Sequence, residues 1–461
     1  MLRTAIHWFR RDLRISDNPA LTEAAACGRV LPIFIFDPAQ EIGAAGRWWL
    51  HHSLTALNLQ LGGALRLFIG DPQEILPALT QQHQIERIFW NRILEPQQIR
   101  SDAALKKQLQ TAGVEVRSFN GAHLWEPWEA LKLDGTPYRV FTPFYKTCLT
   151  LSPPHPPSPP PPHTEWAEGN FGGAPLEQLG LLPNVRWDKK LEPHWKHGES
   201  AALDQLNLFL KQGLHGYKTG RDFPARTNVS RLSPYLHWGE ISPHQAWHAV
   251  GKSLEDANHF RRQLAWREFS YYLLYHFPDL HEQNFNRKFD RFAWDSNSEL
   301  LLKWQRGQTG IPFVDAGMRE LWQTGSMHNR VRMVTASFLT KNLLQHWHHG
   351  RDWFADSLVD ADLANNCSGW QWVAGCGADA APYFRIFNPV SQGKKFDPDG
   401  AYTRRFVPEL ADLPNKYLFN PWEAPDELLR QYEVILGKTY PRPIVDLKNS
   451  RQRALDTYRV L

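Results

Sequence analysis

Cysteine is scarce: four residues in 461, Cys27, Cys148, Cys367 and Cys376, with no two of them in a CxxC pair. That spacing argues against a zinc ribbon and a disulfide-built scaffold, and it fits free thiols in a reducing compartment. Long apolar runs are missing too. No stretch reaches transmembrane length, and the opening MLRTAIHWFRRDLR places charges where a secretory leader needs an apolar core. A cytoplasmic protein with no membrane partner is expected. Charge of one sign is not in great excess either. The net of +4 permits a polyanionic partner without requiring one.

Tryptophan and proline are plentiful, with 20 and 34 residues. Tryptophan on this scale suggests places where rings stack on something, although it is also an ordinary core residue. A chain of 461 residues exceeds the usual size of one core, so two domains are expected. The first part alternates short apolar runs (Ala5–Phe9, Val30–Phe36, Leu65–Ile69, Ile85–Trp90, Val114–Val116) with helix-compatible stretches (Asn18–Ala26, Arg47–Leu61, Pro72–Gln82, Gln97–Ala112). That alternation predicts βαβ units and a parallel five-stranded, Rossmann-like sheet. Arg10, Arg11, Asp12 and Asp37 fall just beyond strand ends, where such sheets form crevices; as surface charges in loops they are equally well explained.

Leu151–Thr164 (LSPPHPPSPPPPHT) is too proline-rich for helix or central strand and reads as a semi-rigid connector. Residues 1–130 are therefore assigned to the α/β domain, 131–199 to a connector and 200–461 to a mainly helical domain, where the periodicity lengthens.

Within the helical part, four segments carry chemistry. Asp360–Pro389 packs Asp360, Asp362, Asn365, Asn366, Trp370 and Trp372 into one short span. Carboxylates are poor core residues unless paired, and the rings bury large surfaces, so a flat ligand with polar edges is the natural client. Tyr217–Ser242 offers Thr227, Ser230, Arg231 and Ser233 before Pro234. Ser then Pro predicts an N-cap and first turn, and a helix start among hydroxyls suits a diphosphate. Every capped helix looks somewhat like this, so its weight comes from its company. Around Asn258–Phe277, the residues Phe260, Gln263, Trp266, Arg267 and Ser270 share one helix face. Finally, Met327–Met333 (MHNRVRM) places Asn329 and Arg332 one turn apart; Arg332 is a candidate partner for Asp360, while Arg330 is either a phosphate contact or part of a solvated basic face.

Read together, WFRRDLR, RDFPA, SRLSP, AWREF, the run Thr309–Met333 and the run Asp360–Pro389 resemble the DNA photolyase and cryptochrome family, most closely its bacterial cyclobutane pyrimidine dimer photolyases. The resemblance spans nearly the whole chain. It implies an α/β antenna domain followed by an all-helical domain holding FAD. By motif position, FAD would be held by Tyr217, Val229, Ser230, Arg231, Leu232, Ser233, Phe260, Arg267, Asn329, Arg332, Asp360, Asp362 and Asn366. Val229 stands where a threonine is usual, and Phe260 where tryptophan is common.

The resemblance further implies an enzyme in which reduced, light-excited flavin passes an electron to a flipped-out pyrimidine dimer, a base removed from the stack because the flavin cannot reach it in the duplex. Trp266 and Trp372 would flank the dimer, with Asn329 and Met333 at its edge. Arg221, Arg330 and Lys394 would contact phosphates, and Trp370, Trp347 and Trp294 would carry electrons to oxidised flavin. Asn366, at the position next to flavin N5, favours repair. Gln263 stands where dimer photolyases carry glutamate, which points instead to a cryptochrome-type blue-light photoreceptor with little repair. Dimer repair is the leading expectation and the photoreceptor the alternative. A monomer is expected, with damaged DNA as partner and a folate or deazaflavin as candidate second chromophore.

Overall fold

The structure, a computed structural model, describes residues 3–251, 255–380 and 384–461. Two compact units emerge: Met1–His215 with Ser230–Pro278, and Gly216–Val229 with Asp279–Leu461. The chain thus does not pack along the expected boundary at residue 200. Residues 230–278 belong with the sheet because their aromatic side chains dock there: Phe144 meets Phe269 and Tyr272 at 5.0 and 4.6 Å, and the Tyr272 hydroxyl donates to the carbonyl of Ala130.

In the first unit, β1 (Thr4–Phe9), β2 (Arg29–Phe36), β3 (Arg66–Ile69), β4 (Arg87–Asn91) and β5 (Glu115–Phe119) form one parallel sheet of order β3-β2-β1-β4-β5. The helices α1 (Pro19–Ala26), α2 (Ala44–Gln60), α3 (Pro72–His83) and α4 (Pro96–Thr111) make the crossovers. β1 and β2 are buried along nearly their full length, as continuous apolar strands inside a parallel sheet must be. Asn18 caps α1 and Asp71 caps α3, each followed by proline at the first helical position. The expected strands and helices lie within a few residues of these. The proline-rich stretch forms neither helix nor strand.

Strand order reverses at β1 and β4, but the crevice there is filled. Asp12 accepts from Asn18 and Asn91, Arg10 donates to Asp102 and Gln98 at 2.6 Å each, and Arg11 pairs with Glu95. A cavity of about 20 Å³, space for little more than a water, lies beside Arg11, Asp12 and Asn91. Asp37 accepts from the amide of Ala39. These four residues hold loops in place.

The second unit is helical. Its core gathers Phe313, Met318, Val331, Phe338, Trp347, Phe354 and Trp370. Asp315, fully buried, accepts from the amide and hydroxyl of Thr309, the amide of Gly310 and the hydroxyl of Tyr440, which ties the C-terminal segment to helix Pro312–Thr324.

Burial holds several histidines neutral: His7 and His328 are each pushed down to about 4, and His197 to about 3. In the unfolded chain these groups titrate near roughly 6.5. Their contribution is therefore whole above that pH and is lost as pH falls through the window toward 4, because the unfolded chain takes up protons first. Among the described residues neither ring nitrogen of His7 has a hydrogen-bond partner, so phenylalanine can replace it without breaking one. The unfolding midpoint of His7→Phe should drop less than that of the wild type between about pH 7 and pH 5; parallel drops would remove His7 from the account.

Candidate functional site

In the second unit the site starts from one ion pair. Arg332, in helix Asn329–Ser337, donates from Nη2 to both carboxylate oxygens of Asp360 at 3.0 and 2.9 Å, and from Nε to the carbonyl of Met327. The Asp360 side chain is 5% exposed, so the pair is largely desolvated on the acid's side. Two residues later Asp362 caps helix Leu363–Ala374, accepting from the backbone and side-chain amides of Asn365 at 2.8 and 2.7 Å. That helix carries Asn366, Trp370 and Trp372. Asn366 donates to the carbonyl of Arg351, while Trp372, half-buried, donates to the carbonyl of Asp379. Gly375, in left-handed backbone, closes the helix. Residues 381–383, further along the same motif, lie outside the described residues.

Three expected phosphate-contacting residues come from three neighbouring segments of this unit. Arg330 donates to Asp222 at 2.8 Å and lies over the ring of Phe396. The reading of Arg330 as part of a freely solvated face therefore does not hold. Arg221 precedes Asp222 and lies over the ring of Tyr217, and exposed Lys394 stands two residues before Phe396. Phe396 also meets Phe223 at 6.0 Å. Asn329 and Met333 are one turn apart and touch through the amide and sulfur at 3.9 Å.

Of the three tryptophans, Trp370 and Trp347 are buried and Trp294 is half-buried. Trp370 is enclosed by Phe354 at 4.9 Å and Trp304 at 6.1 Å. It packs so closely on Gly350 that a methyl group there would overlap the indole. Gly350 lies in the first turn of the helix that Trp347 begins, and Trp347, fully buried, donates to Asn284 at 2.9 Å. His346 separates Trp347 from half-buried Trp294, with ring centroids 5.7 and 5.1 Å away.

Val229 ends the second unit's segment Gly216–Val229, and the first unit carries the other residues. Leu232, not Ser233, occupies the cap position of helix Ser233–Trp238; it is αR and supplies no side-chain bond, which corrects the expected Ser–Pro cap. Ser233 is then the first helical residue, exposed, beside half-exposed Ser230. Arg231, also exposed, adopts left-handed backbone (φ 55°) with its guanidinium over Trp195 at 4.4 Å. Helix Glu255–His276 bears Phe260, buried against Phe209, then Gln263, Trp266 and Arg267. Trp266 stacks on Phe141 at 3.8 Å with planes 8° apart, a contact worth about 0.5–1.5 kcal/mol beyond burial. Arg267 donates to the carbonyl of Ala122 and to Glu268. Gln263 is half-exposed and makes no hydrogen bond among the described residues.

Three residues in these contacts escaped the sequence reading. Glu268 is buried and anchors Arg267; Asp222 holds Arg330; Phe141 fixes the plane of Trp266. Only Glu268 carried a local signal, an acid directly after the arginine it anchors.

A family model described as DNA photolyase matches residues 5–162, and one described as the FAD binding domain of DNA photolyase matches residues 260–460. A deoxyribodipyrimidine photo-lyase of Agrobacterium fabrum is 49% identical across 99% of this chain and 98% of its own. The crystal structure of a class III photolyase from Agrobacterium tumefaciens superposes with a TM-score of 0.97, at 48% identity over 100% of this chain and 98% of that one. Cryptochrome-2 of Arabidopsis thaliana is 37% identical over 98% of this chain and 78% of its own. The chain belongs to the DNA photolyase and cryptochrome family. It has an α/β sheet unit and an FAD-binding region, and no helix among the described residues is long and apolar enough to cross a membrane.

The buried position of Trp370 between Gly350 and Phe354 makes it the tightest point of the tryptophan series. Trp370→Phe should slow light-driven reduction of oxidised flavin at least tenfold, followed by loss of flavin absorbance under illumination with a reductant. An unchanged rate would show that electrons travel by another path.

Proposed function

We propose that this protein is a light-driven deoxyribodipyrimidine photo-lyase that binds DNA containing cyclobutane pyrimidine dimers and acts as a cytoplasmic monomer. The observation that carries the reading is the helix Leu363–Ala374, capped by Asp362 two residues after Asp360 of the Arg332–Asp360 pair, which carries Asn366, Trp370 and Trp372.

The residues present fit FAD. Exposed Ser233 and Arg231 at a helix start suit a diphosphate, together with Ser230, Leu232, Val229 and Tyr217. Asp360, Asp362, Asn366, Asn329 and Arg332 supply donors and acceptors for ring and ribose edges, and Phe260 and Arg267 complete the set. Bound FAD, once reduced and excited by light, would lend the electron that opens the dimer and would take it back from the separated pyrimidines, so that no net oxidation or reduction occurs. A second chromophore, folate or deazaflavin, would act as antenna.

The protein's own contribution is to hold the dimer and shape the charge around it. Trp266 and Trp372 offer aromatic faces; a base on such a face gains about 1–3 kcal/mol. Asn329 and Met333 border the dimer, and Arg221, Arg330 and Lys394 meet phosphates, Arg330 by exchanging its bond to Asp222. Gln263, with its amide unoccupied, donates to a pyrimidine carbonyl but cannot share a proton with it as the charge develops. A group matched to charge that appears only in the transition state contributes most to rate. The second reading, a blue-light receptor with little repair, rests on the same Gln263.

Repair yield per absorbed photon, measured on dimer-containing single-stranded DNA with fully reduced protein, tests both. The wild type should repair, and Gln263→Glu should raise the yield severalfold. An equal or lower yield in the variant would remove Gln263 from the chemistry, and no repair by either form would leave the receptor reading.

A further inference from the structure

Trp266 is the inner end of a ladder of rings. Behind it lies Phe141, 3.8 Å away, and behind Phe141 lies Tyr145, 5.5 Å away with planes 13° apart. All three rings belong to the first unit. Tyr145 forms part of the wall of a groove of about 810 Å³, bounded also by Trp247, His259, Arg261, Arg262 and the proline-rich stretch. The volume lies in the range of roughly 300–1,000 Å³ typical of ligand pockets.

The chemistry of the walls is interleaved aromatic and cationic. Arg261 is fixed by donating to the carbonyls of Trp247 and Gly251, and its guanidinium lies over the indole of Trp247 at 5.4 Å. Arg262 is exposed and lies 5.1 Å from the ring of Phe141, the middle rung of the ladder. One carboxylate, Glu255, shares the lining with these two guanidiniums. Stacking rings beside backbone-tracking cations are what single-stranded nucleic acid requires.

We propose that this groove receives the DNA strand adjoining the dimer, so that the nucleotides flanking the lesion run from Trp266 over the exposed Arg262, which covers the buried ring of Phe141, into the space lined by Tyr145 and Arg261. The proposal rests on the dimer-repair reading above and extends its DNA contact beyond the lesion. Arg262 meets a phosphate, Arg261 supports it, and Tyr145 with Trp247 provides the apolar wall. The flanking strand then helps to hold the lesion strand in register with Trp266, at a distance from the flavin chemistry itself.

The test compares Arg262→Glu, an exposed charge reversal, and Arg262→Lys with the wild type. Two ligands are titrated: a dinucleotide photodimer, too short to reach the groove, and a single-stranded oligonucleotide of about ten nucleotides with the dimer near its centre, whose affinity should fall with salt by a slope of roughly 0.7 per phosphate contact. Arg262→Glu should weaken the oligonucleotide about tenfold and lower its salt slope by roughly 0.7, leave the dinucleotide within about twofold, and Arg262→Lys should restore most of the loss. Equal weakening of both ligands would place Arg262 at the lesion and overturn the groove assignment. No weakening of the oligonucleotide would overturn it as well, with the repair reading intact if the wild type still repairs both ligands. A wild type that repairs neither would overturn the repair reading, and the groove proposal with it.

Discussion

A buried carboxylate must be answered by hydrogen-bond donors or a cation; Asp360 is answered by Arg332, and that pair is the constraint from which the second unit's site follows. Removing one partner of such a pair costs about 3–5 kcal/mol because the other charge stays behind. Arg332 is held at a second point by the carbonyl of Met327, so the helix Asn329–Ser337 and the segment bearing Asp360 are fixed to each other. Asp362 then has little freedom in where it starts the next helix. Its cap, worth about 1 kcal/mol, sets the register that presents Asn366 one turn in and Trp370 two turns in.

The sheet unit solves a different problem. Its central strands β1 and β2 are apolar on both faces, and the strand-end crevice is occupied by the Asp12, Asn18 and Asn91 network and the pairs of Arg10 and Arg11. Those polar groups hydrogen-bond one another, the buried Oδ1 of Asn91 excepted, which stabilises the loops, and a cavity of about 20 Å³ lies beside Arg11, Asp12 and Asn91. Aromatic packing of Phe141 and Phe144 onto helix Glu255–His276 joins that helix to the sheet unit.

Much of this was legible in the sequence because periodicity and capping are local. Strand and helix alternation in the first part reflects short continuous apolar runs separated by stretches of helical period, and Asn18–Pro19 and Asp71–Pro72 announce helix starts by their own chemistry. The Arg332–Asp360 partnership was also inferable, since a carboxylate in an otherwise aromatic and amide-rich run needs a cation. Three kinds of feature were not legible. The packing boundary depends on which aromatic faces meet, so residues 230–278 were assigned to the helical part alone. The Ser233 cap was misplaced by one residue because Leu232 turns into helical backbone early. Lys341 gave no sign of burial, yet a single π-helical turn, Phe338–Asn342, takes it fully inside, where its ammonium donates to the carbonyl of Ala374 at 2.5 Å and burial pulls its pKa well down.

The central claim is that this ion pair organises a flavin site. It is tested most directly by the flavin-to-protein ratio of purified Asp360→Ala and Arg332→Ala, each confirmed as folded by circular dichroism. The account predicts folded, colourless variants that recover little flavin absorbance on incubation with FAD, against a yellow wild type. Variants that remain folded and carry flavin at the wild-type ratio would contradict it.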